Sequence, residues 1–252
     1  MKALSKILFP HINWWLLLLL PLIFFGFYPS YFAKLFSSLP DIIHLHAFFM
    51  LLWITIAITQ PFLIKKNKLK IHRIVGKISY IIMPVVFVTG YLVVRHAYYS
   101  NIVSETEKIA VVFSSPDIIA ITDIAKENTA IGLLYLFWLV LFYILAVINR
   151  KKIINHATYM FAAILTLLGP TIDRILFQVY QYFGIDYNFF AENAVFLLID
   201  LLLIALLLFQ WMRGTSLKAV IISLLVYVTG QFVYHTLPKT EIWKGFVGLI
   251  IF

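Results

Sequence analysis

Seven histidines and no cysteine narrow the chemistry open to this chain of 252 residues. Disulfides, thiolate metal sites, iron–sulfur clusters and cysteine nucleophiles are excluded. Imidazole remains, the side chain suited near neutral pH both to ligating a metal and to exchanging a proton. His72 and His156 are placed alike: each follows a basic segment and opens an apolar run. Asp41 precedes His72 by 31 residues and Asp123 precedes His156 by 33, a weak internal repeat of two hairpins. An axis along the membrane normal relates such parallel repeats, which would set both imidazoles at one depth. Gln60 ends a helical stripe that starts at His46 and passes through Met50, Trp53 and Ala57. His72, His156 and Gln60 are therefore the candidate cofactor-binding set. His46, with His96 or His235, is a candidate metal site toward the other end of the bundle. His44 cannot share an ion with His46, because residues two apart lie ~200° apart around a helix.

Two ionisable groups fall inside apolar runs. Asp200 stands in Phe-Leu-Leu-Ile-Asp-Leu-Leu-Leu, and Arg174 in Thr-Ile-Asp-Arg. A charge at that depth is costly unless paired or neutralised. The two are expected to form a buried ion pair, either a strut between helices or a proton relay or anion clamp. Ser223, Tyr227, Gln231 and Tyr234 make a polar stripe at helical spacing, with His235 beside it. With Trp53, Tyr227 and Gln231 would line an outward-opening polar cavity. HExxH, P-loop, G-x-S-x-G and G-x-G-x-x-G patterns are all absent, so no enzyme signature is present.

The elements that must position these groups follow from composition. The chain is 63% hydrophobic and 12% charged, against about half and a quarter in soluble domains. That excludes a soluble globule, a disordered chain and a coiled coil. Apolar runs at about 12–28, 42–64, 73–94, 130–148, 157–177, 193–211 and 217–235 are each long enough to cross a bilayer as a helix. The expected fold is an all-α integral membrane seven-helix bundle, with spans two to five as two repeated hairpins. Residues 95–130 read as an outer loop and 236–252 as an interfacial tail. Thirteen basic residues and no acid occupy the N-terminus and alternate breaks: Lys2, Lys6, Lys65, Lys66, Lys68, Lys70, Arg73, Lys77, Arg150, Lys151, Lys152, Arg213 and Lys218. By the positive-inside rule the N-terminus is cytoplasmic and the C-terminus outside. The net charge of +9 is thus a topology signal and a contact for anionic lipid, not a nucleic-acid surface. Lys2 and Lys6 before an apolar run suggest a signal peptide, but no small-x-small cleavage site follows, so the first span is expected to be retained. Trp14, Trp15, Trp211 and Trp243 are expected interfacial anchors.

The order of motifs carries a resemblance: His-x-His, then Trp53 and Gln60, then LKIHRIVGKISY, then RKKIINHATYMFAAILTLLGPTIDRI, then LLIDLLLIALLLFQW. Over about residues 41–213 the chain resembles a group of bacterial multi-spanning membrane proteins of the domain-of-unknown-function kind. Their pattern runs H-R-x-x-G, later H-x-R-x-M, with an arginine one helix length on. Thr158 stands where that group often has arginine. The resemblance implies a bacterial cytoplasmic (inner) membrane location and singles out His72, His156, Met160 and Arg174, but supplies no reaction. More distantly, the paired histidines are similar to b-type cytochrome and ferric-reductase bundles, where histidines on separate helices are axial ligands. That likeness implies haem b between His72 and His156. An outer haem at His46 would need His96 or His235 as its partner, because the fourth span has no histidine. Three readings result: a haem- or metal-binding redox protein with a redox or small-molecule partner, a transporter or small-molecule-binding protein, and a non-catalytic accessory membrane protein.

Overall fold

The computed structural model describes residues 8–9, 11–37, 39–112, 117–186 and 189–251, the side chains of 109–112 and 189–192 excepted. Among the described residues the elements are helical and no strand occurs. The helices are α1 (Ile12–Leu17), α2 (Leu19–Phe27), α3 (Asp41–Lys65), α4 (Leu69–Val112), α5 (Ile118–Ile148), α6 (Ile153–Leu165), α7 (Leu168–Tyr182), α8 (Phe189–Met212), α9 (Lys218–Thr236) and α10 (Glu241–Ile251). Two of the breaks have the same cause. Pro21 has no N–H to give the Leu17 carbonyl, and the chain breaks between α1 and α2. Pro170 likewise cannot serve Thr166, and α6 gives way to α7 there.

Six helical stretches among the described residues are long and apolar enough to cross a bilayer: α3, α4, α5, α6 with α7, α8 and α9. The expected first span is instead the broken pair α1–α2, shorter than the other six. Phe48, Ile81, Phe137, Leu197, Leu225 and Phe232 are exposed on the outer faces of these stretches. In water so much apolar surface would be buried; in a bilayer it is the lipid-facing surface. The chain is a multi-pass, all-helical membrane protein.

Antiparallel packing sets the register. Ser79 Oγ of α4 meets Tyr143 Oη of α5 at 2.8 Å, and Gly90 of α4 packs against Leu136 of α5. Between α3 and α4, His46 Nδ1 lies 3.1 Å from Thr89 Oγ1, and Gln60 reaches His72. Helix α5 is the centre of the bundle. Its Trp138 and Phe142 are fully buried, and Tyr227 of α9 packs on both, at ring-centroid distances of 4.6 and 5.0 Å.

Within the expected outer loop, residues 95–112 and 118–130 are helical, as the ends of α4 and α5. Helix α4 has 44 residues, about 66 Å of helix against a hydrocarbon core of about 30 Å. Arg95, Glu105, Glu107 and Lys108 interrupt the hydropathy but are compatible with helix, so α4 continues beyond the bilayer. Asp117 then caps α5, its carboxylate accepting from the N–H groups of Ile119 and Ala120 at 3.0 and 3.1 Å. The tail is also a folded element. Helix α10 lies against the extended ends of α4 and α5, where Val247 and Ile251 pack with Tyr98 and Ala125. Lys244 bridges Asp123 at 2.9 Å and Glu241 at 3.1 Å, and Trp243 donates to the Lys126 carbonyl at 2.9 Å. Lys2 and Lys6 lie outside the described residues.

Candidate functional site at the lysine-rich end

The turn between α3 and α4 is fixed by Asn67, whose φ of 54° is left-handed. Asparagine tolerates that conformation better than most residues. It lets Lys68 N–H return to the Leu63 carbonyl at 2.9 Å and starts α4. His72 and His156 then occupy equivalent places. The backbone N–H of His72 bonds the Lys68 carbonyl at 3.0 Å, and that of His156 bonds the Lys152 carbonyl at 2.9 Å. Each imidazole therefore projects from the first turn of a helix that rises from a basic turn.

Two of the expected residues meet where α3 packs on α4, while His156 stands on α6 across α5. Gln60 Nε2 of α3 donates to the His72 carbonyl at 3.2 Å. The amide passes beside Gly76, one turn beyond His72, where a Cβ would lie 3.9 Å from Gln60 Nε2, an ordinary contact. His72 and His156 fall within electrostatic reach of one another, with Arg73 also acting on His72. His156 Nδ1 lies 2.8 Å from the Ala146 carbonyl of α5. A carbonyl only accepts, so Nδ1 carries the proton and Nε2 presents a lone pair. Two polar atoms of this cluster, His72 Nδ1 and Gln60 Oε1, are buried without a hydrogen-bond partner. Such atoms are uncommon, and a bound water, ion or ligand is one way to satisfy them.

The donor set suits a proton or a single small polar ligand better than a macrocycle. Cross-helix bonds bracket the imidazoles: Gln60 to His72, His156 to Ala146, and Ser79 to Tyr143 deeper in the bundle. A porphyrin plane between the rings would have to part these helices. Two cavities lie elsewhere in the bundle. One, of about 770 Å³, lies between α2 and α7 along Phe24, Tyr28, Gln178 and Tyr182. The other, of about 60 Å³, lies by Asn101 and Asn128. A lone imidazole pair is also thin for a metal: among the described residues no three His, Asp or Glu side chains converge on a common point.

The remaining expected sites are distributed differently. His46 bonds Thr89, and His235 Nε2 meets Asn193 Oδ1 of α8 at 2.7 Å. His96 is half-buried on α4, and the three histidines form no common metal group. Arg174 and Asp200 do not pair. Arg174 donates to the Pro170 carbonyl at 2.7 Å and lies over the Phe27 ring at 4.5 Å, facing α2. Asp200 instead accepts from Gln231 Nε2 of α9 at 3.0 Å. Depth in the membrane was readable from the sequence, but the direction each side chain faces was not. The expected cavity residues are packing elements. Trp53 and Tyr227 are buried, the Tyr227 hydroxyl donates to the Ala162 carbonyl at 2.8 Å, and Gln231 is engaged by Asp200. The Ala146 carbonyl holds His156, and Tyr143 holds Ser79 deeper in the bundle. Ser79 shares a helical stripe with His72, but nothing in the sequence marks their partners on α5.

Comparison of the chain with protein-family models, with curated proteins and with solved structures finds no match.

Proposed function

We propose that the chain is a proton-handling membrane protein whose working site is the Gln60–His72–His156 cluster. Its N-terminus and lysine-rich turns face the cytoplasm, as the positive-inside rule directs, and the location follows as the bacterial inner membrane. The observation that carries the reading is the pair of buried, unpartnered atoms, His72 Nδ1 and Gln60 Oε1, beside an imidazole whose tautomer the Ala146 carbonyl fixes. An acceptor, a ring nitrogen and a second ring nitrogen within electrostatic reach can pass a proton through one small polar ligand or water. The outward-cavity transporter reading loses its support, because Asp200, Tyr227 and Gln231 satisfy each other or the backbone.

The test is histidine-detected NMR titration of the chain in mild detergent, alongside its visible spectrum. The reading expects His72 and His156 to titrate as a coupled pair, with His156→Gln moving the His72 midpoint and Gln60→Leu perturbing both. Independent titrations would overturn it. A Soret band abolished in both His72→Ala and His156→Ala would overturn it in favour of haem ligation.

A further inference from the structure

On the lipid-facing side of α4, Arg73, Lys77 and Tyr80 follow one another at helical spacing, and all are exposed. Arg150, in the turn after α5, reaches across and donates Nη1–H to Tyr80 Oη at 3.1 Å. The bond links the two helices and holds one guanidinium beside the stripe of two further cations. Like charges at i and i+4 repel, and no acidic side chain offsets them here. The ion pairs among the described residues are Glu105–Lys108, Asp123–Lys126, Asp123–Lys244 and Glu241–Lys244, all at the opposite end. Immediately beyond the cations the surface turns apolar. Ile81 of α4 is 73% exposed and Ile148 of α5 is 71% exposed, with Ile78 and Ile144 beside them.

We infer that this cleft is a binding site for one anionic phospholipid. The phosphate sits among Arg73, Lys77 and Arg150, the Tyr80 hydroxyl stays in the hydrogen-bond network, and the acyl chains follow the isoleucines. Arginine gives the bidentate geometry that phosphate favours. The change from cations to isoleucines along the helix axis selects an amphiphile over free phosphate. The site adjoins the histidine cluster through Arg73, but lipid retention there does not require the proton chemistry.

The experiment is lipid retention by the full chain in mild detergent, measured by native mass spectrometry after incubation with phosphatidylglycerol or phosphatidylcholine. The wild-type chain should retain phosphatidylglycerol selectively. Lys77→Gln with Arg150→Gln should weaken retention by about thirtyfold, given the usual attraction per basic residue at an anionic surface. Arg150→Lys should retain an intermediate amount. Lys65→Gln with Lys66→Gln removes as much charge from the same face and should leave retention unchanged; equal loss there would show a diffuse charge effect and overturn the site. Equal retention of phosphatidylcholine would overturn it, as would displacement of the lipid by millimolar inorganic phosphate. Monodisperse elution of each variant in phosphatidylcholine micelles separates lost binding from lost folding.

Discussion

His156 Nδ1 and the Ala146 carbonyl lie 2.8 Å apart, closing the α5–α6 turn with a side chain where a helix end would otherwise leave a carbonyl bare. The backbone N–H groups of Asn149 and Arg150 go to Leu145 and Val147, so the imidazole takes the orphan acceptor between them. The same bond fixes the tautomer that the proposed site uses. Structure and chemistry are therefore separable by substitution. His156→Ala should destabilise the fold by about 1–3 kcal/mol through a buried unpaired carbonyl. His156→Gln, which can still donate, should recover most of that while losing the titration. Thermal midpoints of the two variants in detergent check this; equal midpoints would show that the bond contributes little.

Asp200 depends on Gln231, and the consequences differ from those of an ion pair. Asp200→Asn keeps a carbonyl that Gln231 can reach and should be nearly neutral. Gln231→Leu strands the carboxylate and should cost about 1–3 kcal/mol. A double-mutant cycle between Arg174 and Asp200 should give a coupling within about 0.5 kcal/mol of zero, the range for sites that share no partner. A coupling well above that would mean that the two charges interact after all.

Those two residues show what the sequence could and could not disclose. Hydropathy and the placement of Lys65–Lys70 and Arg150–Lys152 reveal membrane helices, and they mark the turns from which His72 and His156 rise. The meeting of Gln60 with His72 follows from their places near the facing ends of adjacent helices, where position along the axis nearly fixes position in space. Arg174 and Asp200 lie within helices, where the rotation of each helix decides the partner, and that depends on packing across the whole bundle. The extension of α4 past Arg95 was hidden for another reason. Hydropathy reports the solvent around a helix, not the helix, so α4 seemed to end where the membrane does.

Lys244 should tie α10 to α5 in a pH-dependent way. Hydrogen bonds that its ammonium donates to the Asp123 and then the Glu241 carboxylate hold its pKa above the ordinary lysine value of 10.5. A pKa raised in the folded state contributes stability that is complete below the unfolded value and lost as pH rises through the folded one. The dock of α10 should therefore be insensitive to pH through the neutral range and loosen in strong alkali as Lys244 loses its proton, or in acid once the Asp123 carboxylate is protonated. Trp243, bonded to the Lys126 carbonyl, reports the event. The emission difference between the chain and its Trp243→Phe variant should change above pH 10.5, and Lys244→Met should remove that step. A step that persists in Lys244→Met would assign it to another group.

Gly230 marks the tightest approach between α9 and the core aromatic of α5. A Cβ built there would lie 2.5 Å from Trp138 Cζ2 and 2.7 Å from its Nε1. Trp138 has no exposed surface, and its ring is held by Tyr227, Tyr135 and Phe196, so it cannot turn aside as a flexible side chain would. Without a hydrophobic drive between helices in lipid, close packing of this kind supplies much of the association. Gly230→Ala should therefore cost about 1–3 kcal/mol, as overpacking generally does. It should act despite the better helix propensity of alanine, which by itself would favour the variant by up to about 1 kcal/mol. Gly245 on α10 provides the comparison, because nothing lies within 4 Å of a Cβ there. Gly245→Ala should leave the thermal midpoint unchanged or raise it slightly. If Gly230→Ala behaves like Gly245→Ala, the α5–α9 contact is looser than its geometry implies, and Trp138 is not the fixed centre of the bundle.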